Sequence, residues 1–161
     1  MVWKRRGYVA GCALALSLAL GACGSSDEGG ADPVKTIPKA QLIKKGTAIC
    51  EQGNKTINAE FSVWGTKNAE EGKIATEAEL DAETAKVVLP IRKVEVQRLR
   101  ALGMPDQDQQ QFKKLLTAME EGIEKGEQDR SSLRDFGGRY AFARAFDLGV
   151  AFGLKSCWLE E

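Results

Sequence analysis

The spacing of apolar residues is the feature that most restricts how this chain can fold. From Thr36 onward these residues recur three or four positions apart, and Val, Ile and Thr form no alternating runs. A period of this kind places apolar side chains on one face of an α-helix, whereas a half-buried strand would need strict alternation. The sequence therefore predicts an all-α domain over residues 36–161.

Four helical segments can be distinguished. The second opens at Thr76, where Glu79 three positions later completes a capping box, and it ends at Gly103. The third begins near Asp106 or Asp108, and the fourth covers about Leu133 to Phe152. This last segment is apolar on more than one side, as is typical of a central helix. The first two carry the apolar stripes Leu42, Gly46, Ile49, Cys50, Gly53, Ile57, Phe61, Trp64 and Leu80, Thr84, Val87, Ile91, Val94, Leu99, Leu102.

The predicted architecture is an antiparallel bundle of four helices, or of five if Pro90 breaks the second. Proline lacks an amide hydrogen and kinks or splits a helix interior. Gly46 and Gly53 each cost about 1 kcal/mol relative to Ala in a helix. Because both lie on the apolar stripe, we expect a neighbouring element to approach closely there.

The first 22 residues have the composition of a leader. Lys4, Arg5 and Arg6 precede an apolar run from Tyr8 to Leu20. That run is too short to cross a bilayer as a helix, which takes about 20 residues. We therefore expect residues 1–22 to be a signal peptide that is removed.

The end of this leader, Leu20-Gly21-Ala22-Cys23, resembles the lipobox of bacterial lipoproteins. The resemblance implies that the Cys23 thiol receives a diacylglycerol group, such as one carrying palmitate, and becomes the first residue of the mature chain. Residues 23–35 would then be the lipidated cysteine and a flexible tether rich in Gly, Ser and acid. The expected location is the extracytoplasmic face of the cell membrane.

Two further cysteines, Cys50 and Cys157, remain after Cys12 leaves with the leader and Cys23 is acylated. In an oxidising compartment two such thiols most often form a structural disulfide. A redox-active pair is the alternative, although the close Cys-x-x-Cys spacing usual for that chemistry is absent.

The composition argues against several functions. The chain has no His, which removes the usual general base and the commonest zinc ligand. Without the leader, 20 basic residues face 23 acidic ones, so nucleic acid is not an expected partner. Glu120, Glu124 and Glu127 share a helical spacing that a cation could use, but a solvated helix face explains it better. We predict a non-enzyme with no cofactor and no metal.

An aromatic cluster is the one feature that could line an apolar pocket, although core packing is the simpler interpretation. Such a pocket would suit a lipid or another hydrophobic ligand. Its members are Trp64, Phe136, Tyr140, Phe142, Phe146 and Phe152, with Trp158 nearby.

Several segments are similar to small actinobacterial lipoproteins and secreted helical proteins of uncharacterised function. They are Lys39 to Lys45, Ala48-Ile49-Cys50 with Gly53-Asn54, Leu89-Pro90, Leu99 to Pro105, and Phe152 to Cys157. The resemblance implies helices, export and a Cys50 to Cys157 bridge, and it implies no activity.

The leading functional hypothesis is a membrane-anchored, non-catalytic module that binds an envelope protein or a wall component. The alternative is a carrier or sensor of a small hydrophobic ligand that uses the aromatic pocket.

Overall fold

The predicted helical periodicity is realised in four α-helices. The computed structural model describes residues 35–134 and 139–157, without the side chains of residues 139 and 140. Within these ranges the helices are α1 (Lys39–Glu70), α2 (Glu77–Ala101), α3 (Gln109–Gln128) and α4 (Arg139–Phe152). Short 3-10 turns occupy Arg130–Leu133 and Lys155–Cys157. The all-α prediction is confirmed for the described chain.

Helix α2 runs through Pro90 without a break, so the described chain has four α-helices rather than five. Proline removes the hydrogen bond that the carbonyl of Lys86 would otherwise accept. Both Lys86 and Pro90 are exposed, and water can satisfy that carbonyl. The Thr76 capping box is present, with the Glu79 amide donating to Thr76 Oγ1 and Glu79 accepting from the Thr76 amide.

Contacts along the helices give their relative directions. Gly46 of α1 faces Leu99 of α2, and Gly53 faces Glu95 and Ile91, so the numbering falls on α2 as it rises on α1. The ion pairs Lys93–Glu127 and Arg100–Glu120 show that α2 and α3 also run in opposite directions. Between α3 and α4, Phe112 contacts Phe152 and Gly122 contacts Phe142. Each helix therefore runs opposite to the one before it.

The central positions belong to α2 and α3, and the expectation that the fourth segment is central was wrong. Helix α2 packs on both α1 and α3, whereas α4 packs mainly on α3. The remaining sides of α4 contact the two 3-10 turns, which explains why its apolar residues face several directions. Helix α2 is buried on two faces, and its buried surface differs from the predicted apolar stripe. Arg92 and Glu95 are buried, while Val94 is 42% exposed.

A two-residue parallel strand pair, which the sequence did not predict, joins the start of the domain to the α2–α3 connection. Strand β1 (Thr36–Ile37) pairs with β2 (Met104–Pro105). Next to it, Asp106 Oδ1 accepts a 2.8 Å hydrogen bond from the amide of Lys39. Asp106 thereby caps α1 from 67 positions away, because Pro38 has no side chain that could do so.

The chain returns to α1 after α4. Gly153 has φ of 107°, and its amide donates to the Val150 carbonyl while the Leu154 amide donates to the Gly149 carbonyl. This is a Schellman end, which requires a left-handed residue. It turns the fully buried Leu154 against Gly46. The glycine on the α1 stripe therefore admits a close neighbour, as expected.

No helix in the described part of the chain is long and apolar enough to cross a membrane.

Candidate functional site

The predicted disulfide is present. Cys50 Sγ and Cys157 Sγ are 2.01 Å apart and join α1 to the C-terminal 3-10 turn. Both residues are almost fully buried, a situation typical of a structural bridge rather than of an exchanging pair. Cys23 lies outside the described residues, so its predicted lipidation remains a prediction.

The aromatic residues of the predicted pocket are only partly together. Phe142 and Phe152 are each 1% exposed, and Phe146 packs at the edge of the same core. Phe142 lies against Gly122, and the Phe152 ring centroid lies 5.3 Å from that of Phe112. Trp64 is half-buried on the far part of α1, outside this core. Phe136, the Tyr140 side chain and Trp158 lie outside the described residues.

The carboxylates weighed as cation ligands belong to separate contacts. Glu120 pairs with Arg100 at 2.6 Å and Glu127 with Lys93 at 2.5 Å, while Glu124 is exposed. Within residues 35–134 and 139–157, no group of three His, Cys, Asp or Glu residues could hold a metal ion.

A recess lies where α2 ends and α3 begins. It has a volume of about 510 Å³ and is hereafter the cationic recess. Its lining combines three basic side chains with apolar and small residues, and it includes no acid. The lining residues are Lys35, Arg100, Ala101, Gly103, Met104, Phe112, Lys113, Leu116 and Thr117.

The backbone holds the wall of the cationic recess in place. Gly103 has φ of 100°, and a β-carbon there would lie 2.3 Å from the Lys35 carbonyl oxygen. The same carbonyl accepts a 2.8 Å hydrogen bond from the Met104 amide. A glycine is therefore needed both for the left-handed turn and for the close approach of residue 35.

The charges of the cationic recess are only partly neutralised. Arg100 donates to Glu120 at 2.6 Å. Neither Lys35 nor Lys113 forms an ion pair with any described residue. Among the described residues, the recess therefore offers two ammonium groups without an ion pair beside apolar surface, an arrangement suited to an anion that carries an apolar part.

A second polar feature lies inside the protein, beside the disulfide. Arg92 Nη1 donates to both carboxylate oxygens of Glu95, at 3.0 and 2.8 Å, and Arg92 Nη2 donates to Asn54 Oδ1 at 3.1 Å. Asn54 Nδ2 then donates to the Ser156 carbonyl at 2.8 Å. This buried network ties α1, α2 and the C-terminal turn together.

Glu95 is 2% exposed, and loss of solvation raises the pKa of its carboxyl although Arg92 opposes the shift. Glu95 also lines a smaller recess of about 310 Å³ between α1 and α2, together with Gly53, Pro90 and Val94. Both oxygens of Glu95 accept hydrogen bonds from Arg92, and the network serves packing.

Sequence reasoning missed both features. Lys35 falls in the predicted tether, and the cationic recess is lined by residues as far apart in the sequence as Lys35 and Thr117. The only sequence signal for the buried network was Gly53 on the apolar stripe, which indicated a close neighbour but not a carboxylate.

Comparison with known proteins found no matching family model, no curated relative and no similar solved structure.

Proposed function

We propose that this chain is a bacterial lipoprotein, anchored through acylated Cys23, whose helical domain is a non-catalytic binding module at the extracytoplasmic face of the membrane. The observation that carries the proposal is the sequence Leu20-Gly21-Ala22-Cys23 after a basic and apolar leader. Two or more acyl chains are enough to hold a small domain stably on a bilayer.

The buried disulfide supports export, because such bonds persist in oxidising compartments and are rare in the cytosol. Cys50 and Cys157 lie 107 positions apart in the sequence, so their bond fastens the chain end to the first helix. A domain that works outside the cell without chaperones benefits from such a constraint.

The cationic recess supports a binding role. Its volume falls in the range of small-molecule and headgroup sites, roughly 300–1,000 Å³. The hydrophobic-carrier hypothesis has less support, because Phe142 and Phe152 leave almost no surface for a ligand. That hypothesis now depends on Trp64 and on rings outside the described residues.

Replacement of Cys23 by Ser tests the anchor in an expressing bacterium. We expect the wild-type chain to fractionate with membranes and to incorporate labelled palmitate, and the C23S chain to lose the label. A matched control is Cys12→Ser, which alters a leader cysteine and should leave labelling unchanged. Equal labelling of wild type and C23S would refute the proposal.

A further inference from the structure

We propose that the cationic recess binds the phosphate headgroup of an anionic phospholipid and so docks the domain on the membrane that anchors it. The inference deepens the proposed function and rests on it for the nearness of the membrane. The expected ligand group is a phosphate diester next to an acyl or glycerol part. Such a group matches two ammonium groups beside apolar side chains.

The composition of the recess favours an anionic ligand. Lys35 and Lys113 have no ion pair among the described residues, and Arg100 adds a third cation on the rim. Met104 and Leu116 provide apolar wall. The recess thus presents both lysines and apolar side chains to a headgroup that carries a phosphate and glycerol carbons.

Charge is distributed unevenly along the helices. Residues 35–45, next to the recess, contain four lysines and no acid. Residues 70–83, where α1 ends and α2 begins, contain six acids and one lysine. Because the helices alternate in direction, these segments lie toward opposite ends of the helix pair. An anionic surface would therefore attract the end that carries the recess.

Only a short length of chain separates the predicted anchor from the recess. Lys35 lies twelve positions after Cys23. If these residues form the flexible tether that their composition predicts, its root-mean-square span would be roughly 17–21 Å, from about 5–6 Å times the square root of its length. The anchor would thus keep the recess close to lipid headgroups and raise their effective concentration at the site.

Three described acids near the recess are already engaged. Asp106 accepts from the Lys39 amide, Asp108 pairs with Lys39 Nζ at 2.6 Å, and Glu120 pairs with Arg100. They therefore reduce the positive potential without closing the space between Lys35 and Lys113.

Cosedimentation with vesicles tests the docking. The probe protein is the mature chain, residues 23–161, carrying Cys23→Ser so that no acyl group contributes. Vesicles of phosphatidylcholine with phosphatidylglycerol should bind it, and vesicles of phosphatidylcholine alone should not. A lysine near an anionic surface raises the affinity for that surface about fivefold. Lys35→Gln combined with Lys113→Gln should therefore weaken vesicle binding about 25-fold.

The matched control is Lys55→Gln with Lys67→Gln, which removes the same charge from exposed positions farther along α1. These positions lie farther from the recess than a Debye length, which is about 10 Å at 0.1 M salt. Removing their charges should therefore change vesicle binding less than twofold. A second variant, Thr117→Asp, adds an acid at an exposed rim position without removing any packing. It changes the charge by one unit and should therefore weaken vesicle binding about fivefold, with an unchanged melting temperature.

Three results would overturn the inference. One is absence of binding to phosphatidylglycerol vesicles, and another is an equal loss in the recess and control variants, which indicates diffuse attraction only. The third is release by millimolar inorganic phosphate beyond the release by sodium chloride of equal ionic strength, which indicates a soluble anion as ligand. Since the assay uses unacylated protein, its outcome is independent of whether Cys23 carries lipid in cells.

Discussion

At the scale of single residues, Gly53 and Glu95 depend on each other. A β-carbon at Gly53 would lie 1.8 Å from Glu95 Oε1, so the carboxylate occupies the space that only glycine leaves free. Because Glu95 is held by Arg92 in the interior, it cannot swing into solvent as an exposed side chain would.

We therefore predict opposite effects for two glycine replacements in α1. Gly53→Ala should lower the free energy of unfolding by about 1–3 kcal/mol, the usual cost of overpacking a core. Gly65→Ala has no atom within 4 Å of the new methyl group and should gain up to about 1 kcal/mol from helix propensity. Urea denaturation of both variants measures this, and a stabilised G53A variant would contradict the structure.

Removal of the Glu95 charge should be costly. Glu95→Gln leaves the Arg92 charge buried without its counter-ion, which typically costs about 3–5 kcal/mol. The exposed pair Lys93–Glu127 provides a control, because Glu127→Gln should cost at most about 1 kcal/mol. Equal stability of the two variants would show that Arg92 and Glu95 do not form a buried pair.

At the scale of elements, the start of α2 is fixed by charge as well as by its cap. Glu79 accepts from the Thr76 amide at 2.9 Å and pairs with Lys73 at 2.7 Å. The hydrogen bond from Lys73 is the largest cause that lowers the pKa of Glu79 from 4.5 to about 2, followed by that from the Thr76 backbone.

The lowered pKa of Glu79 predicts a pH effect of definite sign. Because the folded state holds this proton more weakly than the unfolded state, the stabilisation is present above pH 4.5 and is lost as the pH falls toward about 2. The stability difference between wild type and Glu79→Gln should shrink over that range in urea titrations. Lys73→Gln should flatten the wild-type dependence, and a difference that stays constant with pH would contradict the assignment.

The elements also show what the sequence could predict. The Thr76 capping box, the stop at Gly103 and the Schellman end at Gly153 are local, so a few neighbouring residues determine them. The parallel β1–β2 pair and the capping of α1 by Asp106 involve partners 67 or 68 positions apart. No local pattern encodes such pairings.

A similar cause explains why Arg92 and Glu95 are buried although the apolar stripe predicted Val94 in the core. Periodicity alone assigns a charged pair to solvent, whereas Gly53 and Asn54 of α1 lie against Arg92 and Glu95 in the folded chain. For the same reason the cationic recess, which three separate segments form, could not be predicted from the sequence.

At the scale of the whole molecule, the disulfide closes the bundle. Helices α1 and α4 are linked through the C-terminal 3-10 turn, which packs on α1 and carries Cys157. A bridge across a loop of about 100 residues restricts the unfolded chain by about 4.7 kcal/mol in the chain-entropy account.

Joint replacement of Cys50 and Cys157 by Ser should therefore lower the free energy of unfolding by up to about 4.7 kcal/mol, with helical circular dichroism retained in the absence of denaturant. In wild type, a thiol reagent should modify neither cysteine until a reductant is added. Labelling without reductant would contradict the bridge.

The account as a whole rests on the fate of Cys23. The most direct measurement is the mass of the intact protein, and of its N-terminal peptide, after purification from bacterial membranes. The account predicts a chain without residues 1–22 that begins at Cys23 and carries a diacylglycerol group on the thiol. An N-terminal peptide with an unmodified Cys23, or one that retains Met1 and the leader, would contradict it.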